Sequence, residues 1–222
     1  MQLTFDGLIY VPDDEERVDA WGATYELQDF TSVKEKIGKK KIRTAIDCGS
    51  HVGVWTRHLS SYAKTIHSFE PVPQHIECWK HNTKDLKHND ITLHELALAN
   101  KESKKTTMYV PIGIGAMSTL YAHDKRQRGA PQITVPTETL DSFKLKNVDL
   151  IKIDVEGSDQ AILELLEGAK DTITKNNPFL YVEVRPLPQF KAHVYITEEL
   201  GYKWEELCGF RNVFYYLSLI HI

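Results

Sequence analysis

Four carboxylates stand where this chain could do chemistry. Asp47, Glu70, Asp154 and Glu183 each close a short apolar run of the kind that forms a buried strand. The first belongs to the stretch Thr44 to Thr56, TAIDCGSHVGVWT, in which Asp47-x-Gly49-x-x-x-Gly53 joins a strand to a helix pattern. A strand-end carboxylate accepts hydrogen bonds from an ammonium, directly or through water. Glycines let the backbone approach a ligand closely. The dinucleotide fingerprint G-x-G-x-x-G, which crowds a pyrophosphate against a helix N-terminus, is incomplete. His51 stands two residues after Gly49, and the third glycine is missing. An ordinary strand-helix turn would use the same glycines for positive φ alone.

A ligand with an amino-acid end and no phosphate suits this pattern, and S-adenosylmethionine (SAM) is one. Glu70 closes the strand pattern Thr65 to Phe69, about 20 residues on, where nucleotide folds place an acid on the ribose hydroxyls. Small apolar residues past a third strand, Leu96 and Ala97 among them, could pack on a purine face or simply pack. Methyl transfer from a sulfonium is an in-line displacement, so the protein must align the reactants and, for a hydroxyl, remove a proton. Asp154 is the first candidate for a base or orienting group and Glu156 the second. His51 and His193 are weaker candidates, because the ten histidines do not cluster. Asp154, Glu156 and Glu183 could offer oxygens to a divalent cation, but no spacing demands one and no metal is expected.

The elements that must position these groups follow the order βαβαβ, then βαβ, then a helix and a final hairpin. Strands are expected at 42–47, 65–69, 91–93, 148–153, 179–184, 202–207 and 213–219. Helices are expected at 24–37 (stopped by Gly38), after Pro71-Val72-Pro73, after Ser158 as a cap, and at 190–200 (stopped by Gly201). This implies an α/β fold with a doubly wound, mostly parallel seven-stranded sheet and an antiparallel C-terminal hairpin. All four acids then share the carboxyl edge of that sheet, where such sheets bind ligands. Residues 1–42 read as an N-terminal helical arm or lid, and 43–222 as the main domain with a β/loop insertion at about 101–140. Within it, the glycine-rich stretch Pro111 to Leu120 reads equally as a substrate loop or a surface hairpin.

Bulk properties narrow the class. A chain of 222 residues suffices for one well-buried domain. Its net charge of −4 argues against nucleic acid or an anionic membrane as the general partner. The basic cluster Lys34 to Arg43 reads as a solvated helix end rather than an anion-binding patch. Cys48, Cys78 and Cys208 form no CxxC, which points to reduced thiols and a cytoplasmic location. The apolar run Val213 to Ile222 is too short to span a bilayer.

Together AIDCGSHVGVWT, SFEPVPQHIECWKHN, LHELALAN, GAMSTL, VPTETLDSF and LIKIDVEGSDQAILELLEGA resemble the FkbM family of SAM-dependent methyltransferases, over roughly Arg43 to Val184. The resemblance implies a Rossmann-like methyltransferase fold. It implies that Asp47, Gly49 and Gly53 line the methionine part of SAM, with Ser50 and His51 of the same turn in the cofactor site. It places Glu70 on the ribose and Leu96-Ala97 beside the adenine. It also implies O-methylation of a sugar, glycan or small natural product. Alternatives remain: an RNA or protein methyltransferase using the basic segments, a SAM-binding module without catalysis, and, weakest, a dehydrogenase.

Overall fold

The computed structural model describes residues 1–18, 22–86, 90–101, 103–122, 125–156, 159–207 and 212–217. Strands β1 (Gln2–Leu3) and β2 (Tyr10–Val11) pair antiparallel, and α1 (Leu27–Ile37) follows. Then come β3 (Ile42–Cys48), α2 (Val54–Ser60), β4 (Ala63–Phe69), α3 (Pro73–Thr83) and β5 (Asp90–His94). The insertion holds β6 (Ala97–Leu98), β7 (Ser103–Tyr109), the short α4 (Lys125–Arg128) and β8 (Gln132–Glu138). The second half runs β9 (Val148–Ile153), α5 (Asp159–Glu167), α6 (Lys170–Asn176), β10 (Phe179–Glu183), α7 (Lys191–Val194), β11 (Lys203–Glu206) and β12 (Asn212–Tyr216).

The main sheet has seven strands in the order β11-β12-β10-β9-β3-β4-β5. Only β12 runs against its neighbours β10 and β11; the other pairings are parallel. The expected doubly wound, mostly parallel seven-stranded sheet and its antiparallel hairpin are present. Side-chain alternation sorts the central strands onto two faces. Ile46, Cys48, Ile151, Ile153 and Val182 pack with Leu165, Leu166, Ala192 and Ile196 of the later helices. Ala45, Leu150, Tyr181 and Phe214 pack with Phe30, Val33, Trp55 and Leu59 of α1 and α2. Because both faces are covered, β9 is buried at every position, and such a strand must read as an apolar run. Truncating a fully buried Ile151 to Ala would cost about 2–5 kcal/mol.

The first residues pack into this same body. Ile9 and Val11 join Val52, Val54 and Cys78, and Asn82 of α3 clamps Tyr10 with two 2.8 Å hydrogen bonds. Three members of the basic cluster form ion pairs within the chain. Lys36 pairs with Glu205, while Arg43 and Lys40 both reach the buried Asp149. Within the expected β/loop insertion, strands β6, β8 and β7 form a separate three-stranded sheet.

Two helices depart from their sequence pattern. The helix expected from Thr24 begins at Leu27, because Glu26 sits in the left-handed region at φ 52°, ψ 17°. The helix expected over 190–200 is four residues of α7 followed by a π turn, Tyr195–Glu199, which ends before Gly201 at φ 74°. Asp159 caps α7 from outside by accepting from the Lys191 and Ala192 amides, both at 2.8 Å. The Ser158 cap, most of the hairpin connection Cys208 to Asn212, and the chain past Leu217 lie outside the described residues.

Candidate active site

A cavity of about 650 Å³ opens at the carboxyl ends of β3, β4, β9 and β10. That edge includes the switch point between β3 and β9, where the strand order reverses. Its size falls within the range of roughly 300–1,000 Å³ of ligand pockets. Gly49, Ser50, His51, Glu70, Leu96, Ala97, Asp154 and Glu156, all expected from sequence, line it. Asp47 and Gly53, expected with them, do not line it.

The turn after β3 is folded on itself. Gly49 (φ 75°), His51 (φ 48°) and Gly53 (φ 92°) are all left-handed. The Gly49 and Ser50 amides donate to Phe69 O, the Gly53 amide to Ser50 O, and the His51 amide to Glu70 Oε2 at 2.9 Å. A Cβ on Gly49 would stand 1.9 Å from Asp154 O, so this glycine serves contact between β3 and the end of β9. A Cβ on Gly53 would meet Trp79 at 2.9 Å, so that glycine serves packing against α3. Glu70 is 4% exposed. Its Oε1 accepts from the Val72 amide (2.9 Å) and faces His75 Nδ1 (3.1 Å). With about four acceptor positions on a carboxylate, one remains on Oε2 for a ligand. Ser50 Oγ and His75 Nε2 are buried and, among the described residues, meet no hydrogen-bond partner.

Beneath the cavity runs a buried polar row set by strand register. Ser68, Asp47, Lys152 and Tyr181 are successive cross-strand neighbours on the α1/α2 face. Asp47 is fully buried and receives the Thr56 hydroxyl proton at 2.8 Å; Thr56 then accepts from Trp79 Nε1. Lys152 Nζ lies 3.3 Å from both Asp47 Oδ1 and Asp154 Oδ2 and donates to Gly49 O at 2.8 Å. Burial pulls the Lys152 ammonium down, but Asp154, Asp47 and Glu26 outweigh it and hold its pKa above the ordinary lysine range. Burial pushes the Asp154 carboxyl up, and Lys152 overcomes that to hold it below its ordinary range. Asp47 therefore anchors Lys152 from beneath the floor, and Lys152, which itself lines the cavity, carries the connection to Asp154 in the wall.

Sequence reading missed Lys152, although a lysine inside the apolar run DLIKID was a visible signal. It also missed Tyr25, Glu26 and Arg17, which the first segment brings to the cavity, and His75. Burial, then the Asp154 charge, pushes Glu26 up to about 7. Burial holds the His51 imidazole well below its usual range, so it is neutral. The glycine-rich loop resolves as part of the site: Gly115, Met117, Ser118 and Leu120 line the cavity. Of the weaker histidine candidates, His193 is elsewhere, bonded to Tyr215 at 2.8 Å. Among the described residues, no three His, Cys, Asp or Glu side chains gather as a metal site.

The fold is that of the Rossmann-like methyltransferases. The solved structure of methyltransferase FkbM from Methylobacillus flagellatus KT matches 91% of this chain and 62% of its own, with TM-score 0.55 and 15% identity. Ribosomal protein L11 methylase from Lactobacillus delbrueckii subsp. bulgaricus matches 88% and 79%, with TM-score 0.51 and 13% identity. At such identities the likeness is one of fold. The methyltransferase FkbM domain model matches residues 47–211, and the chain belongs to that family. Methyltransferase 1 of Beauveria bassiana (strain ARSEF 2860) is 26% identical over 144 residues, covering 55% of this chain and 57% of its own length. The chain thus spans under two thirds of that relative and of the M. flagellatus protein.

Proposed function

We propose that the cavity binds SAM and that the protein methylates a hydroxyl of a sugar, glycan or small natural product. The observation that carries the cofactor reading is how the turn uses its own donors. A pyrophosphate needs open backbone amides, and those of Gly49, Ser50, His51 and Gly53 are engaged within the chain. The wall then offers the five carboxylates of Glu26, Glu70, Asp154, Glu156 and Glu183 against the two cations Arg17 and Lys152, with an apolar slot at Phe69, Leu96, Ala97 and Leu98. That set suits a cationic nucleoside and disfavours a dinucleotide.

Glu70 then holds one ribose hydroxyl through its remaining acceptor position, and Ser50 Oγ gains a partner. SAM supplies a methyl already activated on sulfonium. Asp154, kept ionised by Lys152, orients the acceptor hydroxyl, and Glu156 beside it takes the proton. Tyr25, Glu183 and Asn212 at this end suit a polyhydroxylated acceptor. The net charge of −4 argues against RNA as the acceptor. The buried Cys48 and Cys78, not joined in a disulfide, suit a cytoplasmic setting, and among the described residues no helix is long and apolar enough to cross a membrane.

Calorimetric titration with SAM and with NADH tests this on wild type, Glu70→Gln and Ala97→Phe, the last filling the apolar slot. SAM binding that weakens in both variants is expected, followed by a sugar-first acceptor screen. NADH binding without SAM binding would overturn the reading.

A further inference from the structure

Glu26 lies outside the residues matched to the family, yet its side chain lines the cavity. It is placed there by a left-handed backbone at φ 52°, which costs a non-glycine residue about 1 kcal/mol or more. The Trp55 indole N–H donates to its Oε2 and fixes the carboxylate. Its charged neighbours are Asp154 and Lys152 from β9 and its end, and Asp29 from α1. Tyr25 and Glu183 line the same cavity. Lys152 is held by Asp47, Asp154 and Gly49 O. Among the described residues, no lysine or arginine forms an ion pair with Glu26. A carboxylate held toward a ligand cavity beside Asp154, with Lys152 near but committed to Asp47 and Asp154, is a site for a cation brought by the ligand.

We infer that Glu26 is the counter-charge for the sulfonium of the bound cofactor and makes the site prefer SAM to its thioether product. This rests on the SAM reading above. S-adenosylhomocysteine (SAH) differs from SAM by the methyl group and the positive charge, and shares the ammonium, carboxylate, ribose and adenine. A carboxylate paired with the ammonium would treat both alike; one paired with the sulfonium separates them. Burial and Asp154 hold Glu26 near neutrality in its pKa. A cation brought beside it favours the ionised form, so SAM binding drives off the proton that part of the population carries. SAH has no such effect, and the product's loss of charge assists its release.

The test is calorimetric titration of wild type, Glu26→Gln and Glu26→Asp with SAM and with SAH, in two buffers of different ionisation enthalpy near pH 7. In wild type, SAM should release up to about half a proton more than SAH does. The ammonium is common to both ligands and cancels. Glu26→Gln keeps an acceptor for Trp55 and should lower the SAM-to-SAH affinity ratio about tenfold, the equivalent of one pKa unit of coupling. Glu26→Asp should restore part of the ratio. Equal loss for both ligands in Glu26→Gln would overturn the inference in favour of an ammonium contact. An unchanged ratio with no extra proton released would overturn it outright. Binding of neither ligand to wild type would instead defeat the SAM reading.

Discussion

The two ends of the cavity are built differently. At the Gly49–Glu70 end, the chain supplies partners for the backbone amides of its turn: they meet Phe69 O, Ser50 O and Glu70, and Glu70 keeps one acceptor position. At the Glu26–Asp154 end, Lys152 is shared between Asp47 and Asp154, and Glu26 lies beside them in the cavity. The first end is shaped before any ligand arrives; the second holds charge that a ligand can change. A fixed surface suits the constant part of a cofactor, and a titratable one suits the part that changes in the reaction.

Four substitutions break or sharpen that contrast. The largest effect is expected from Gly49→Ala, whose Cβ would overlap Asp154 O at 1.9 Å on a left-handed backbone. It should cost about 5 kcal/mol or more, enough to prevent folding, as read by denaturant melts. Lys152→Met should follow at about 3–5 kcal/mol, by leaving the buried Asp47, with the half-buried Asp154 beside it, without a cation. It also has a pH signature. Asp154 is depressed in the folded protein, so its contribution is present above the ordinary aspartate range and lost as pH falls through the folded value. That acid-side loss should shrink in Lys152→Met.

Glu26→Gln should act in the opposite direction. The folded pKa of Glu26 is raised, so its contribution is complete below the ordinary glutamate range and is lost as pH rises through about 7. The variant should therefore match wild type at about pH 4 and be more stable by about 1–2 kcal/mol at about pH 8, allowing for solvent screening. The smallest effect belongs to Ser50→Ala at the fixed end. Among the described residues its buried hydroxyl meets no hydrogen-bond partner, so stability should hold or rise by up to about 1 kcal/mol while SAM affinity falls.

What the sequence made legible follows from the same physics. Strands β3 and β9 could be placed within about one residue, because burial on both faces demands apolar runs, and β4, with its polar positions, within about two. The acids at or near their ends could be located with them. Which acids face the cavity could not. Asp47 is turned under the floor by register with Lys152, a residue more than a hundred positions away, and no local pattern records that pairing. Gly53 reads as a ligand glycine but is required by Trp79 of α3. Glu26 stands in an acceptable helix pattern, and only the tertiary position of Trp55 and the cavity reveals why the helix starts after it.

The most direct test of the central claim is a crystal structure of the protein grown with SAH. The account predicts adenine density against Leu96 and Ala97, a ribose hydroxyl on Glu70, and the sulfur end toward Glu26 and Asp154. A ligand bound elsewhere, or a cavity that stays empty at saturating SAH, would contradict it.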